Sequence, residues 1–163
     1  MDLDIRTDNR FEPKPNQPKE TNRIADHPIH PMLIPFPIAF FLATLACDLV
    51  YLSSGTADLV IATEWLLGTG LLIGLLAAIA GLADLFTETR TRNWRAVWWH
   101  AGGNILAVLI SAYNFYLRNQ AGAAAGLDVG EVALSALVVL VLVFTGWKGW
   151  ELVYRGRVGA ADY

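Results

Sequence analysis

Residues 59–86 read LVIATEWLLGTGLLIGLLAAIAGLADLF, twenty-eight residues with two charges, Glu64 and Asp84. As a helix rising ~1.5 Å per residue this stretch spans ~42 Å. A bilayer's hydrocarbon core is ~30 Å thick, so the stretch is long enough to cross it. Inside lipid no water satisfies the backbone, so a crossing segment folds as a helix that closes its own hydrogen bonds. Gly70, Gly74, Ala77 and Gly81 recur at i, i+4, i+7 and i+11. Such a stripe of small side chains lets a second helix approach closely, and it runs on to Asp84 at the end of the segment.

Three more segments of the same kind surround it: Pro31 to Ser53, Ala96 to Leu117 and Val132 to Tyr154. The connections are short, at Ser54–Asp58, Thr87–Arg95 and Arg118–Glu131, which makes neighbouring helices antiparallel. The expected fold is all-α, an integral membrane bundle of four transmembrane helices running up-down-up-down over residues 27–155. The whole chain has 163 residues, 55% hydrophobic and 17% charged. Soluble domains carry about 25% charge, so this chain is short of solvating surface. Residues 1–26 differ, with acids and bases scattered among Pro13, Pro15 and Pro18. They read as a disordered cytoplasmic tail, and residues 156–163 as a short C-terminal tail. A single cysteine, Cys47, excludes an internal disulfide and any CxxC pair. A net charge of −3 without a basic run gives no footprint for nucleic acid.

Of twelve Lys and Arg, five precede the first segment, three lie at Arg90, Arg92 and Arg95, and three at Lys148, Arg155 and Arg157. Arg118 alone falls on the other side. By the positive-inside rule both termini and the middle loop are cytoplasmic. The expected location is the bacterial inner membrane, multi-pass, with the lipid bilayer as the principal partner. Trp94, Trp98, Trp99, Trp147 and Trp150 gather at the cytoplasmic face. Trp65, Tyr51, Tyr113 and Tyr116 sit near the opposite one, as interfacial belts do.

Polar residues in lipid face protein, and their helical phase shows which face that is. The third segment carries His100, Asn104, Ala107, Ser111 and Asn114 on one line that exits at Arg118. Gly102 and Gly103 leave space beside His100. The first segment gives Pro37, Phe41, Thr44, Asp48 and Tyr51. The up-down topology puts His27, His30, Asp84, His100, Lys148 and Glu151 at one depth, and Asp48 at the other end with Asn114 and Arg118. Asp48 and Arg118 are positioned to form a buried ion pair, and Lys148 and Glu151 to pair at i, i+3.

Three histidines and a carboxylate (His27, His30, Asp84 and His100) are a sufficient ligand set for one divalent metal. Imidazole also ligates haem iron from its two axial faces. Axial ligands come from opposite sides, so His30 with His100 is the better pair for one b-type haem, and Arg90, Arg92 or Arg95 would meet its propionates. Three functions therefore remain open. They are a redox module with one haem and a redox partner protein, a haem-free metal site, and a structural or assembly subunit whose polar layer only packs helices. No Ser-His pair and no phosphate-cradling glycine motif occurs, so the sequence leaves enzyme activity undecided and favours a non-enzyme.

The run His27-Pro28-Ile29-His30-Pro31 through Phe36-Pro37-Ile38 resembles the HPxHPxxxxFPI first-helix motif of an uncharacterised bacterial membrane family, a four-helix domain of unknown function. Gly81-Leu82-Ala83-Asp84 is similar to its second-helix G-x-x-D. Trp99-His100 with Asn104 resembles its third-helix histidine, and Gly146 through Arg155 its closing segment. The resemblance covers roughly residues 27 to 159. Members sometimes occur joined to Rieske-type or cytochrome-type modules, which implies redox chemistry with a b-type haem by association. Members often carry a histidine after the closing Tyr-Arg; here that position is Gly156, which argues against a second haem.

Overall fold

The computed structural model describes residues 23–24, 27–87 and 91–155, with side chains over 29–87 and 92–155. Among the described residues, five α-helices follow one another. They are α1 (Ile29–Leu33), α2 (Pro35–Ser54), α3 (Ala57–Thr87), α4 (Arg95–Ala121) and α5 (Val129–Tyr154). Helices α1 and α2 form one nearly continuous rod through Ile34, which keeps helical dihedrals of φ −53° and ψ −41°. Pro35 and Pro37 open α2, where a missing N–H costs least. Gly55 ends it in the left-handed conformation, φ 65°, with its N–H returned to the Tyr51 carbonyl.

Around the bundle, α2 packs on α3, α3 on α4, α4 on α5, and α5 back on α2. Side-chain contacts fix the directions. His30, at the start of the rod, sits against Gly81 near the end of α3. His100, at the start of α4, sits against Gly149 near the end of α5. Asp48 and Arg118, both near the ends of their helices, meet. Neighbours are thus antiparallel and diagonal helices parallel.

The bundle is inverted relative to a water-soluble one. Its largest fully buried side chains include Arg118, Asn114, Thr44, Thr63, Thr145, Asp48 and Ser111. Leu72, Leu75, Ile79, Leu109, Leu140 and Val143 are exposed instead. In water such a continuous apolar surface would aggregate; in lipid it is the solvated face. Buried hydroxyls return to their own helix, Thr44 donating to Phe40 O at 2.9 Å and Thr63 to Val60 O at 2.9 Å. Among the buried apolar residues, Phe41, Leu67 and Val138 pack together as one small cluster.

Among the described residues, three helical stretches are long and apolar enough to cross a membrane: Ile29–Ser54, Ala57–Thr87 and Val129–Tyr154. Helix α4 is long enough at 27 residues but not apolar enough, because His100, Asn104, Asn114 and Arg118 lie along it.

Two boundaries depart from the sequence reading. Arg118–Glu131 is not a plain connection, since Arg118 belongs to α4 and Glu131 to α5. The reason is a capping box: the Asp128 carboxylate accepts from Gly130 N at 2.7 Å, and Glu131 accepts from Asp128 N at 3.1 Å. At the other end of the chain, Arg23–Ile24 pairs antiparallel with His27–Pro28, so part of the segment read as a tail has local order. Residues 1–22, 25–26 and 156–163 of the two tails lie outside the described residues.

Candidate functional site

Two polar centres sit inside the bundle, one near each end. The first holds the histidines. His30 enters from α1 and its Nδ1 lies 2.7 Å from the Ala77 carbonyl of α3. His100 enters from α4 and its Nδ1 lies 2.9 Å from the Thr145 carbonyl of α5. A carbonyl only accepts, so each Nδ1 carries the proton and each Nε2 keeps its lone pair. Metal-ligating histidines show this same arrangement, in which the outer N–H is fixed on a carbonyl while the other nitrogen binds. The two rings lie 6.3 Å apart between centroids, with their planes 85° apart.

Glycines make the room. A β-carbon at Gly81 would fall 2.7 Å from His30 Cε1, and one at Gly149 would fall 3.1 Å from His100 Cε1. Gly103 gives way to the Thr145 methyl, whereas Gly102 faces open space. The small-residue stripe of α3 therefore serves packing along its length: Gly70 and Gly74 receive Phe41 and Pro37, and Gly81 receives the imidazole. Beside the rings opens an apolar cavity of about 310 Å³, lined by His30, His100 and Asn104 together with Gly81, Leu85 and Val153. Asp84 lines the same cavity.

The second centre is a closed network. Arg118 binds Asp48 with two parallel bonds of 2.9 and 2.7 Å, the bidentate fork that suits guanidinium to carboxylate. Its Nε donates to Asn114 Oδ1 at 3.1 Å and a terminal nitrogen donates to Ser135 Oγ at 3.0 Å. Asn114 Nδ2 in turn donates to Ser135 Oγ and to the Glu131 carbonyl. Arg118 is 2% exposed and Asp48 0%. All three Arg118 nitrogens and both Asp48 oxygens have a partner, as a charge pair sealed from water requires. Lys148 and Glu151 pair at 3.0 Å, partly exposed.

The structure thus brings His30 and His100 together and places Asp84 on their cavity. The side chain of His27 lies outside the described residues. Among the described residues no group of three His, Cys, Asp or Glu side chains is placed to hold a metal ion, so His30, Asp84 and His100 do not form such a group there. Arg92 is also not available to an anion in the cavity. Its Nε donates to Leu85 O at 2.9 Å and a terminal nitrogen to Phe86 O, which caps the carbonyl end of α3. Arg95 is exposed, and the side chain of Arg90 lies outside the described residues. The sequence reading missed Thr145, Ser135 and Glu131. For Glu131 the D-x-x-E spacing from Asp128 was the available signal.

Residues 26–162 match the model of the DUF2231 family, described as a predicted membrane protein. No curated protein and no solved structure is matched. With the match covering most of its length, the chain belongs to the DUF2231 family of predicted membrane proteins.

Proposed function

We propose that this is a multi-pass inner-membrane protein in which His30 and His100 hold one b-type haem at the cytoplasmic end of four crossing helices. The observation that carries the reading is the pair of imidazoles with carbonyl-anchored Nδ1 atoms and ring centroids 6.3 Å apart. Two nitrogens binding one ion at ~2.0–2.1 Å from opposite sides, with each ring centre roughly 1.1 Å behind its nitrogen, put the centroids roughly 6–6.5 Å apart. Tetrahedral binding by the same two rings gives roughly 5 Å. A macrocycle supplies its own four equatorial nitrogens, so two protein ligands and an apolar cavity suffice for haem. A bare divalent ion asks for three or four protein ligands.

The chain's own contribution is orientation. The Ala77 and Thr145 carbonyls hold the two rings and make Nε2 the ligating atom. Leu85 and Val153 give the cavity beside the rings apolar walls. A bound haem supplies one-electron transfer, exchanged with a redox partner protein at the cytoplasmic face.

Two observations support α4 as the fourth crossing helix. Its polar line turns inward, with Ser111, Asn114 and Arg118 buried. Its other face presents Leu106, Leu109, Tyr113 and Tyr116 outward. Arg118 is neutralised by Asp48 and is not a loop charge, so with four crossings the positive-inside rule would put the remaining eleven Lys and Arg on one side.

A second reading, a structural or assembly subunit, is favoured by one observation: His30, His100, Asn104 and Thr145 already hydrogen-bond to the helices around them. The visible spectrum of protein purified after expression with haem precursor separates the two readings. A Soret band with sharp reduced α and β bands, at one haem per chain and lost in His30→Ala and His100→Ala, supports the haem. A colourless, folded protein overturns it and leaves the subunit.

A further inference from the structure

The two histidines are not equivalent. The Nδ1 of each is spent on a carbonyl, at 2.7 Å for His30 and 2.9 Å for His100, so each Nε2 is a lone pair in need of a donor or a ligand. For His100 that donor is present. Asn104 Nδ2 lies 3.2 Å from His100 Nε2 and 2.8 Å from the His100 carbonyl oxygen. The carboxamide has two N–H groups, and both are turned to His100. The opposite flip of Asn104 is disfavoured, because it would set its oxygen against the Nε2 lone pair and the His100 carbonyl, two acceptors. The Thr145 hydroxyl lies 3.4 Å from Asn104 Oδ1 and 3.2 Å from the Leu142 carbonyl, and its single proton is shared between the two. No such donor to His30 Nε2 is found among the described residues.

The geometry points to Asn104 as a latch on the site, a positioning residue that occupies the coordinating lone pair of His100 until a ligand displaces it. This rests on the haem reading above. His30 would offer the nitrogen open to a haem iron, and His100 would ligate one only once the Asn104 amide has rotated away. The same bond keeps His100 in its binding tautomer while the site is empty, so the ring is poised and at the same time covered. A hydrogen bond of this class has a net worth equivalent to about a 2- to 10-fold change in an equilibrium constant. Removing the amide therefore tightens haem binding by that factor.

The test uses the full chain in detergent, titrated with ferric haem, as wild type and as Asn104→Ala. An imidazole ¹⁵N spectrum of the haem-free protein gives a second readout that loss of packing does not imitate. The expected results are binding about 2- to 10-fold tighter in Asn104→Ala and a His100 Nε2 resonance moved toward that of a free acceptor nitrogen, with His30 unmoved. Equal or weaker binding by Asn104→Ala, while wild type binds haem, overturns the latch and leaves the haem reading standing. An unchanged His100 nitrogen resonance also overturns the latch. Absence of binding by both proteins overturns the haem reading and the latch with it. If Asn104→Ala fails to fold, Thr145→Val replaces it: loss of the hydroxyl proton shared with the amide oxygen is expected to shift both readouts the same way, and no shift overturns the latch.

Discussion

Replacing Arg118 by Met removes the cation of the buried ion pair while roughly keeping its volume. Four bonds go at once: two to Asp48 at 2.9 and 2.7 Å, one to Asn114 at 3.1 Å and one to Ser135 at 3.0 Å. Summing them at face value would overstate the loss, because the unfolded chain also solvates these groups. The dominant cost is Asp48, which is left fully buried without its counter-ion. Breaking a buried pair from one side costs about 3–5 kcal/mol, a factor of roughly 150–5,000 in the folding constant. Removing both charges, as Asp48→Leu with Arg118→Met, avoids the orphaned carboxylate and is expected to lie within about 2 kcal/mol of wild type. The assay is unfolding of the purified protein by a denaturing detergent, followed by helical circular dichroism and tryptophan fluorescence, with all four corners of the double-mutant cycle measured. A loss below about 1 kcal/mol for Arg118→Met, or a double variant as unstable as the sum of the singles, would refute the argument. The pair would then be open to water.

The glycines give a matched contrast in the same unfolding assay. Gly103→Ala meets the Thr145 methyl and is expected to destabilise by about 1–3 kcal/mol. Gly102→Ala meets nothing within 4 Å and is expected to be neutral or to stabilise by up to about 1 kcal/mol. Gly81→Val pushes on the His30 ring, with its first carbon 2.7 Å from Cε1. Its haem content measured by absorbance should fall severalfold while Gly102→Ala keeps the wild-type content. Reporter fusions at Ser54 and Gly122 should read as periplasmic, and fusions at Thr91 and the C-terminus as cytoplasmic; a cytoplasmic signal at Gly122 would remove α4 as a crossing helix.

Much of the packing was legible because lipid leaves polar groups few choices. The spacing Pro37, Phe41, Thr44 and Asp48 is the buried face of α2, and Ala107, Ser111, Asn114 and Arg118 are buried along α4. Four residues apart on a helix is one face, and lipid excludes the alternative in which that face looks outward. The Asp48–Arg118 pair followed from the same reasoning combined with up-down topology. What stayed hidden was whatever depends on backbone acceptors. Nothing in the sequence marks the Ala77 and Thr145 carbonyls as partners for imidazole, since a carbonyl is present at every residue. Arg92 was assigned to a ligand's acidic groups, but the unsatisfied carbonyls at the end of α3 compete for the same guanidinium. Glu131 was hidden by a boundary error. The Gly/Ala-rich stretch before Asp128 reads as loop, and the capping box that starts α5 there brings the Glu131 carbonyl to Asn114 in the buried network.

Electron paramagnetic resonance of the ferric protein tests the central claim most directly, because it reads the axial ligands and the angle between them together. The two imidazole planes stand 85° apart. The account predicts a low-spin ferric signal of the strongly anisotropic kind that crossed imidazoles produce, converted to a high-spin signal or lost in His100→Ala. A wild-type protein with no low-spin haem signal, or one whose signal survives His100→Ala unchanged, would contradict it.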